Sequence, residues 1–145
     1  MEERWKALRQ DADRVLASLG PEKYRQTPAA KMLALVASLM FREIPADPGH
    51  AQYRQGNTLG ASYRHWRRAK FFGRFRLFFR YHSRRKIIVY VWLNDAATLR
   101  KSGASTDVYA VFHGMLARGR PPDDFDELIR ACRSIKTTEQ GEPPA

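Results

Sequence analysis

Trp66-Arg67-Arg68-Ala69-Lys70-Phe71-Phe72-Gly73-Arg74-Phe75-Arg76-Leu77-Phe78-Phe79-Arg80-Tyr81-His82-Ser83-Arg84-Arg85-Lys86-Ile87-Ile88-Val89-Tyr90-Val91-Trp92-Leu93-Asn94 is the stretch that decides the fold. Residues 66–72, 74–82 and 86–94 are rich in aromatic and β-branched side chains. Short turns at Gly73 and Ser83-Arg84-Arg85 separate them, so the spacing predicts an antiparallel three-stranded meander. Alternation sorts the middle run into an apolar side, Phe75, Leu77, Phe79 and Tyr81, and a basic side, Arg74, Arg76, Arg80 and His82, interrupted by Phe78. Phe71, Phe75, Phe79 and Tyr81 are read as core, and Phe78 as the ring lying beside the cations. Trp66, Arg68 and Lys70 share a face of the first run. Tyr90 and Trp92 share a face of the third.

No acidic residue stands between Asp47 and Asp95. The same stretch holds Arg54, Arg64, Arg67, Arg68, Lys70, Arg74, Arg76, Arg80, Arg84, Arg85 and Lys86, as many cations as the formal net charge of +11. A lone exposed arginine usually marks only a solvated surface. Uncompensated cations across a whole predicted sheet repel one another and call for a polyanion. Net charge alone does not separate nucleic acid from an anionic membrane. Guanidinium groups interleaved with flat rings suit single-stranded RNA, whose phosphates pair with the cations and whose unpaired bases stack, each for about 1–3 kcal/mol. Duplex DNA fits less well, because no basic recognition helix is present in the pattern.

Outward from the sheet the chain reads as helical. Trp5, Leu8, Ala12, Val15, Leu16 and Leu19 recur at spacings of three and four before Gly20-Pro21 ends the pattern. A second helix, apolar over most of its girth, runs from Pro28 to about Arg42. Pro45, Pro48-Gly49, Gly56, Asn57 and Gly60 mark a connecting loop. After the strands, Asn94-Asp95 start a short helix to Leu99. Thr106 or Asp107 caps a helix carrying Val108, Val111, Phe112, Met115 and Leu116. Asp123, Asp124 and Asp126 open a last one with Phe125, Leu128, Ile129 and Cys132 on one side. One domain over residues 1–136 is expected, with a polar, disordered tail at 137–145.

The longest apolar stretch, from Met32 to Phe41, is well short of the ~20 residues a membrane span needs. The opening residues lack the charge and apolar pattern of a signal peptide. Cys132 is the single cysteine, which suits a reducing cytoplasm better than a disulfide framework. His50, His65, His82 and His113 are scattered, so no metal site and no cofactor are expected.

Several segments together resemble the YhaV toxins. They are 66–71, 74–81, Trp92-Leu93-Asn94-Asp95, Thr98-Leu99-Arg100, 106–112, Met115-Leu116-Ala117-Arg118-Gly119 and Pro121-Pro122. Pro21-Glu22-Lys23-Tyr24 and 54–60 extend the likeness, which covers about residues 21–128. This sequence departs from the pattern in a shorter, less glycine-rich turn at Phe72-Gly73, in Phe75 where tyrosine is common, and in Arg120 where histidine is expected. The resemblance implies an α+β fold of the RelE-like superfamily, with N-terminal helices packed on a curved, mainly antiparallel sheet and C-terminal helices. It also implies a messenger-RNA endonuclease, acting on translating ribosomes and neutralised by a PrlF-like antitoxin of the AbrB type, through which alone the toxin would meet operator DNA.

Such toxins cut RNA without metal. The 2′-hydroxyl attacks the adjacent phosphorus, so something must accept its proton, stabilise the phosphorane and protonate the departing oxygen. The resemblance carries over Arg76 as the arginine on the scissile phosphate, Lys70 with Arg68 as the basic pair of the preceding strand, and Tyr109 as the aromatic residue of the C-terminal helix. Arg80 and Arg100 are further catalytic candidates on sequence pattern. Arg67, Arg68, Arg74, Phe78 and His82 are the expected RNA contacts. The competing reading is a non-enzymatic RNA-binding or ribosome-associated protein, which would need the basic sheet but not Lys70, Arg76 and Tyr109 together.

Overall fold

The computed structural model describes residues 1–132; the tail expected at 137–145 lies outside the described residues. The fold is α+β, and the chain forms two compact units, Met1–Asp47 and a second that starts at Pro48. The first is helical. Glu2 and Glu3 favour the N-terminus of α1 (Glu2–Leu19), and Gly20, at a left-handed φ of 80°, ends it by donating its N–H to Leu16. Trp5 and Ala12 are buried, whereas Leu16 and Leu19, expected on the apolar stripe, stay exposed.

A single turn, α2 (Pro21–Tyr24), leads to α3 (Pro28–Ser38), whose N-cap Thr27 accepts the Ala30 N–H at 3.3 Å. α1 packs on α3. The helix does not stop near Arg42 as expected. Its ladder widens into a π-turn at Leu39–Glu43, closed by the Ile44 N–H on the Leu39 carbonyl, and a last α-helical turn, α4 (Ile44–Ala46), follows. Pro45 is accommodated in the first turn of that segment, where no intrahelical N–H is required. Trp5 meets Phe41 edge-on at 5.6 Å, and Leu33, Val36, Met40 and Ile44 are buried.

The second unit holds the sheet, β1 (Arg67–Phe71), β2 (Phe75–His82) and β3 (Ile87–Leu93), antiparallel in the order β1-β2-β3. The meander is therefore as the sequence predicts. Lys70 pairs with Arg76, Arg68 with Phe78 and Arg67 with Phe79. Directly paired residues share a face, so Arg68, Lys70, Arg76, Phe78 and Arg80 line one side. That side is not open. α5 (Val108–Ala117) lies over it, and Phe112 stacks on Phe78 at 4.1 Å and on Trp92 at 5.8 Å, with Trp66 edge-on at 5.2 Å. Leu116, Val108 and Leu128, the last from α6 (Phe125–Ala131), complete this core.

Two expectations are corrected here. Phe78, expected among the RNA contacts, is fully buried in the aromatic stack, because α5 brings Phe112 onto its ring. Tyr90 and Trp92 do not share a face. The register shifts between Phe78 and Phe79, so Trp92 pairs with Phe78 and Tyr90 with Phe79. A bulge resets the alternation of the bulged strand. Tyr90 meets Phe79 on the opposite side, where Tyr53 also contacts Phe79 at 5.4 Å.

Candidate functional site

Tyr109 is the hub of the basic end of the α5-covered face. Its hydroxyl accepts one hydrogen bond from Arg68 Nε and one from Arg76 Nε, each at 3.0 Å. Arg100 lies over the phenol ring with its guanidinium carbon 4.9 Å from the centroid. Three arginines from β1, β2 and the segment before α5 thus meet on one side chain. The strands and the helix each deliver what alternation or helical position dictates: Arg68 and Arg76 point toward α5, and Tyr109 occupies its first turn.

Among the described residues, the remaining hydrogen bonds of Arg68 and Arg76 are to neutral acceptors. Arg68 Nη1 donates to the Gln52 carbonyl at 2.8 Å, and Arg76 Nη1 to the Gly73 and Phe75 carbonyls, both at 2.9 Å. Phenol and carbonyl oxygens fix the planar groups without cancelling their charge. Each guanidinium uses Nε and Nη1 in this way. Lys70, exposed on β1, is the cross-strand partner of Arg76, so the two cations share a face. Arg74 joins the rim: its Nε donates to the Arg100 carbonyl and its own carbonyl accepts the Arg100 N–H, each at 3.0 Å.

A family model described as "Toxin with endonuclease activity, of toxin-antitoxin system" matches residues 1–133. The chain is 44% identical over 112 residues to "Ribonuclease toxin YhaV" of Escherichia coli strain K12 and to "Toxin YhaV" of Escherichia coli O157:H7, covering 76% of this chain and 73% of each relative. It belongs to the YhaV toxin family. No solved structure matches it. Membership in the YhaV family makes the chain one of a group of toxins with endonuclease activity, acting within a toxin–antitoxin system and therefore with an antitoxin as partner. Among the described residues no helix is long and apolar enough to cross a membrane, and no group of three His, Cys, Asp or Glu side chains is placed to hold a metal ion.

Other sequence candidates in this YhaV-family chain lie away from the Tyr109 cluster. Arg80 sits at the far end of β2, its guanidinium 5.0 Å from the Trp66 ring and 5.4 Å from Phe125, donating to the Asp123 carbonyl at 2.6 Å. Burial lowers its pKa, against the opposing pull of Asp123 and Asp124. Four strand positions, about 13 Å, and the aromatic stack separate it from Arg76. His82 shares that end: its Nδ1 accepts the Arg85 N–H and its ring lies 5.1 Å from Phe125. Arg67, though adjacent to Arg68, points to the opposite face by strand alternation, and its buried Nη1 makes no hydrogen bond among the described residues. Burial, then the neighbouring Arg54, lowers its pKa. Arg120 is exposed.

Two positioning residues escaped the sequence reading. Asp107 was recognised as a cap, and its Oδ2 does accept the Tyr109 N–H at 3.1 Å. Its Oδ1 also takes Arg100 Nη1 at 2.9 Å and the Lys101 N–H at 2.6 Å. Burial alone would raise this carboxyl, but those hydrogen bonds and the Arg100 charge outweigh it and hold the pKa below its ordinary value. Asn94 was read with Asp95 as a helix cap. Asp95 performs that task for the short 3₁₀ turn Ala96–Thr98, while the fully buried Asn94 accepts the Arg76 N–H at 2.8 Å and donates to the Arg74 and Thr98 carbonyls. Its place beside a capping Asp is the sole sequence signal, and it names the wrong job.

Proposed function

We propose that this chain is a RelE-like toxin that cuts messenger RNA by attack of the 2′-hydroxyl on the adjacent phosphorus. The observation that carries the reading is the sharing of one phenol oxygen, Tyr109 Oη, by Arg68 Nε and Arg76 Nε. Both guanidinium groups are buried, with exposed Lys70 on the same face, and held that way they keep their charge for a phosphodiester, whose pentacoordinate phosphorane carries more negative charge than the substrate. Fixed cations therefore bind the transition state more strongly than the ground state. The name of the K12 relative, a ribonuclease toxin, supports RNA as the polymer.

In this mechanism the 2′-oxygen forms a bond to phosphorus while its proton passes to Lys70 in its neutral amine form. The bond from phosphorus to the 5′-oxygen breaks, and that oxygen takes up a proton from water. The products are a 2′,3′-cyclic phosphate and a free 5′-hydroxyl, with no metal in any step. Arg76 stabilises the phosphorane, Arg68 and Arg100 add to the field, and Tyr109 holds the arginines and orients the nucleophile. The end of the face marked by exposed Lys70 takes the RNA on the translating ribosome, and a PrlF-like, AbrB-type antitoxin neutralises the toxin and brings it to operator DNA.

Arg76→Ala tests the assignment. Cells expressing it should grow, and the purified variant, still folded and still bound by its antitoxin, should leave RNA intact with or without ribosomes and with chelator present. Undiminished toxicity of the variant removes Arg76 from the chemistry. Fragments from the wild type should end in cyclic phosphate. RNA that is bound tightly but never cut would instead favour a non-enzymatic RNA-binding protein.

A further inference from the structure

The turn joining β1 to β2 carries a residue that neither its backbone nor its surroundings explain. Phe72 has φ 44° and Gly73 φ 68°, so both occupy the left-handed region. Asn, Asp and Gly suit such positions, whereas a bulky side chain at positive φ is a steric outlier. Phe72 is also 51% exposed. The other non-glycine residue at positive φ, Lys86 in the next turn, is a side chain that water solvates well. Phe72 pays twice, in backbone strain and in exposed ring, and strain of this kind concentrates at functional positions.

Its location supplies the reason. The neighbouring Gly73 carbonyl is the acceptor for Arg76 Nη1, and Arg74, on the other side of Gly73, is bonded in both directions to Arg100. The turn is thereby stitched to the Arg76 guanidinium and to the Arg100 backbone. The Phe72 ring rests at 6.0 Å from Phe71, which is itself stacked on Phe75 at 5.7 Å, so a buried ring backs an exposed one. Among the described residues the large apolar side chains left exposed are Leu16, Leu19 and Phe72. In its own compact unit Phe72 is therefore a single ring with exposed Lys70 and Arg74 nearby in the chain. One ring among cations is too small an apolar patch for a protein partner, and it is the size of one nucleobase.

We infer that Phe72 is the stacking platform for a nucleobase next to the scissile phosphate, a specificity-determining contact that rests on the nuclease reading above. The test uses the full chain and a short single-stranded RNA that the wild type cuts, with an abasic nucleotide placed in turn on either side of the cut. With the wild type, one of the two abasic RNAs should be cut roughly 10-fold less efficiently. Phe72→Asn should cut the intact RNA at that reduced level and be indifferent to the abasic nucleotide, while Phe72→Trp restores the difference. Asn accepts positive φ and water, so Phe72→Asn should melt higher, by roughly 2–4 °C; loss of activity with gain of stability is what a merely structural phenylalanine would not give.

An abasic penalty of equal size in wild type and Phe72→Asn overturns the proposal. So does normal cutting by Phe72→Asn combined with escape from the antitoxin, which would make Phe72 a protein contact. If no Arg76-dependent cutting of intact RNA is found, the nuclease reading fails on its own. Binding of the same intact and abasic RNAs, followed by fluorescence anisotropy, then decides Phe72 separately by the same criterion.

Discussion

The two ends of the α5-covered face hold arginines in opposite ways. At the Tyr109 end, Arg68 and Arg76 are fixed by a phenol oxygen and by carbonyls, and among the described residues only Arg100 meets a carboxylate, that of Asp107. At the other end, Arg80 donates to the Asp123 backbone carbonyl with that residue's carboxylate 4.0 Å away, His65 Nε2 lies 2.6 Å from the same carboxylate, whose Oδ1 also accepts the Trp66 indole N–H at 2.7 Å, and Arg85 pairs with Asp126 at 2.7 Å. Carboxylates neutralise the cations they position. Neutral acceptors position them and leave the charge for a ligand. Within one strand, β2, the same residue type therefore stands among neutral acceptors at position 76 and beside a carboxylate and two aromatic rings at position 80.

The sharpest way to break this contrast is to delete each arginine. Arg76→Ala should lower the cleavage rate by about 10²–10³-fold, as measured on purified RNA. Arg80→Ala should leave the rate per folded molecule within roughly 3-fold and cost about 1–3 kcal/mol of stability in urea unfolding, because Asp123 and the rings of Trp66 and Phe125 lose the cation they surround. Equal losses of activity in the two variants would mean that both ends bind substrate.

A smaller effect is expected from Tyr109→Phe, which keeps the ring beneath Arg100 but removes the acceptor for both Nε groups. Rates should fall by about 10-fold, and stability by about 1–3 kcal/mol, since two buried donors are left without a partner. Full activity in this variant would show that the strands alone hold Arg68 and Arg76 in place. Smallest is Asp107→Asn. The folded-state pKa of Asp107 lies below the ordinary 3.8, so its ion pair contributes stability that is fully present above that value and is lost as pH falls through the lower, folded one. Acid unfolding of the wild type should therefore steepen below about pH 4, and the curve for Asp107→Asn should lack that component. Parallel acid curves for the two proteins would detach Asp107 from the pairing.

Much of the architecture was legible because it is written in short-range periods. Strand alternation located the meander and put Arg76 and Arg80 on one side, Gly20-Pro21 ended α1, and Asp107 is a side chain whose oxygen caps the helix that follows. The site was legible in part. The structure brings Arg68, Arg76, Arg100 and Tyr109 together, as a shared site requires, and puts Arg80 at the far end of β2, yet it buries Phe78, which the pattern leaves in the open. That misplacement has one origin: the sequence pattern gives the face of a strand but not what covers it. The role of Asn94 was hidden for a similar reason, since a buried side-chain amide and a capping one look alike until the backbone it serves, that of Arg76 and Arg74, is known.

By itself, the order of residues determined that strands would form here, that their cations would go without local counter-ions, and that the chain shares its motifs with the YhaV toxins. These are properties of neighbours along the chain, fixed by 2.0- and 3.6-residue periods and by composition. Only the tertiary structure decided which cations keep their charge available. That choice depends on a bulge at Phe78/Phe79 and on α5, distant in the chain, laying Phe112 across the middle of the face and Tyr109 at one end of it, and contacts between distant segments leave no periodic trace in sequence.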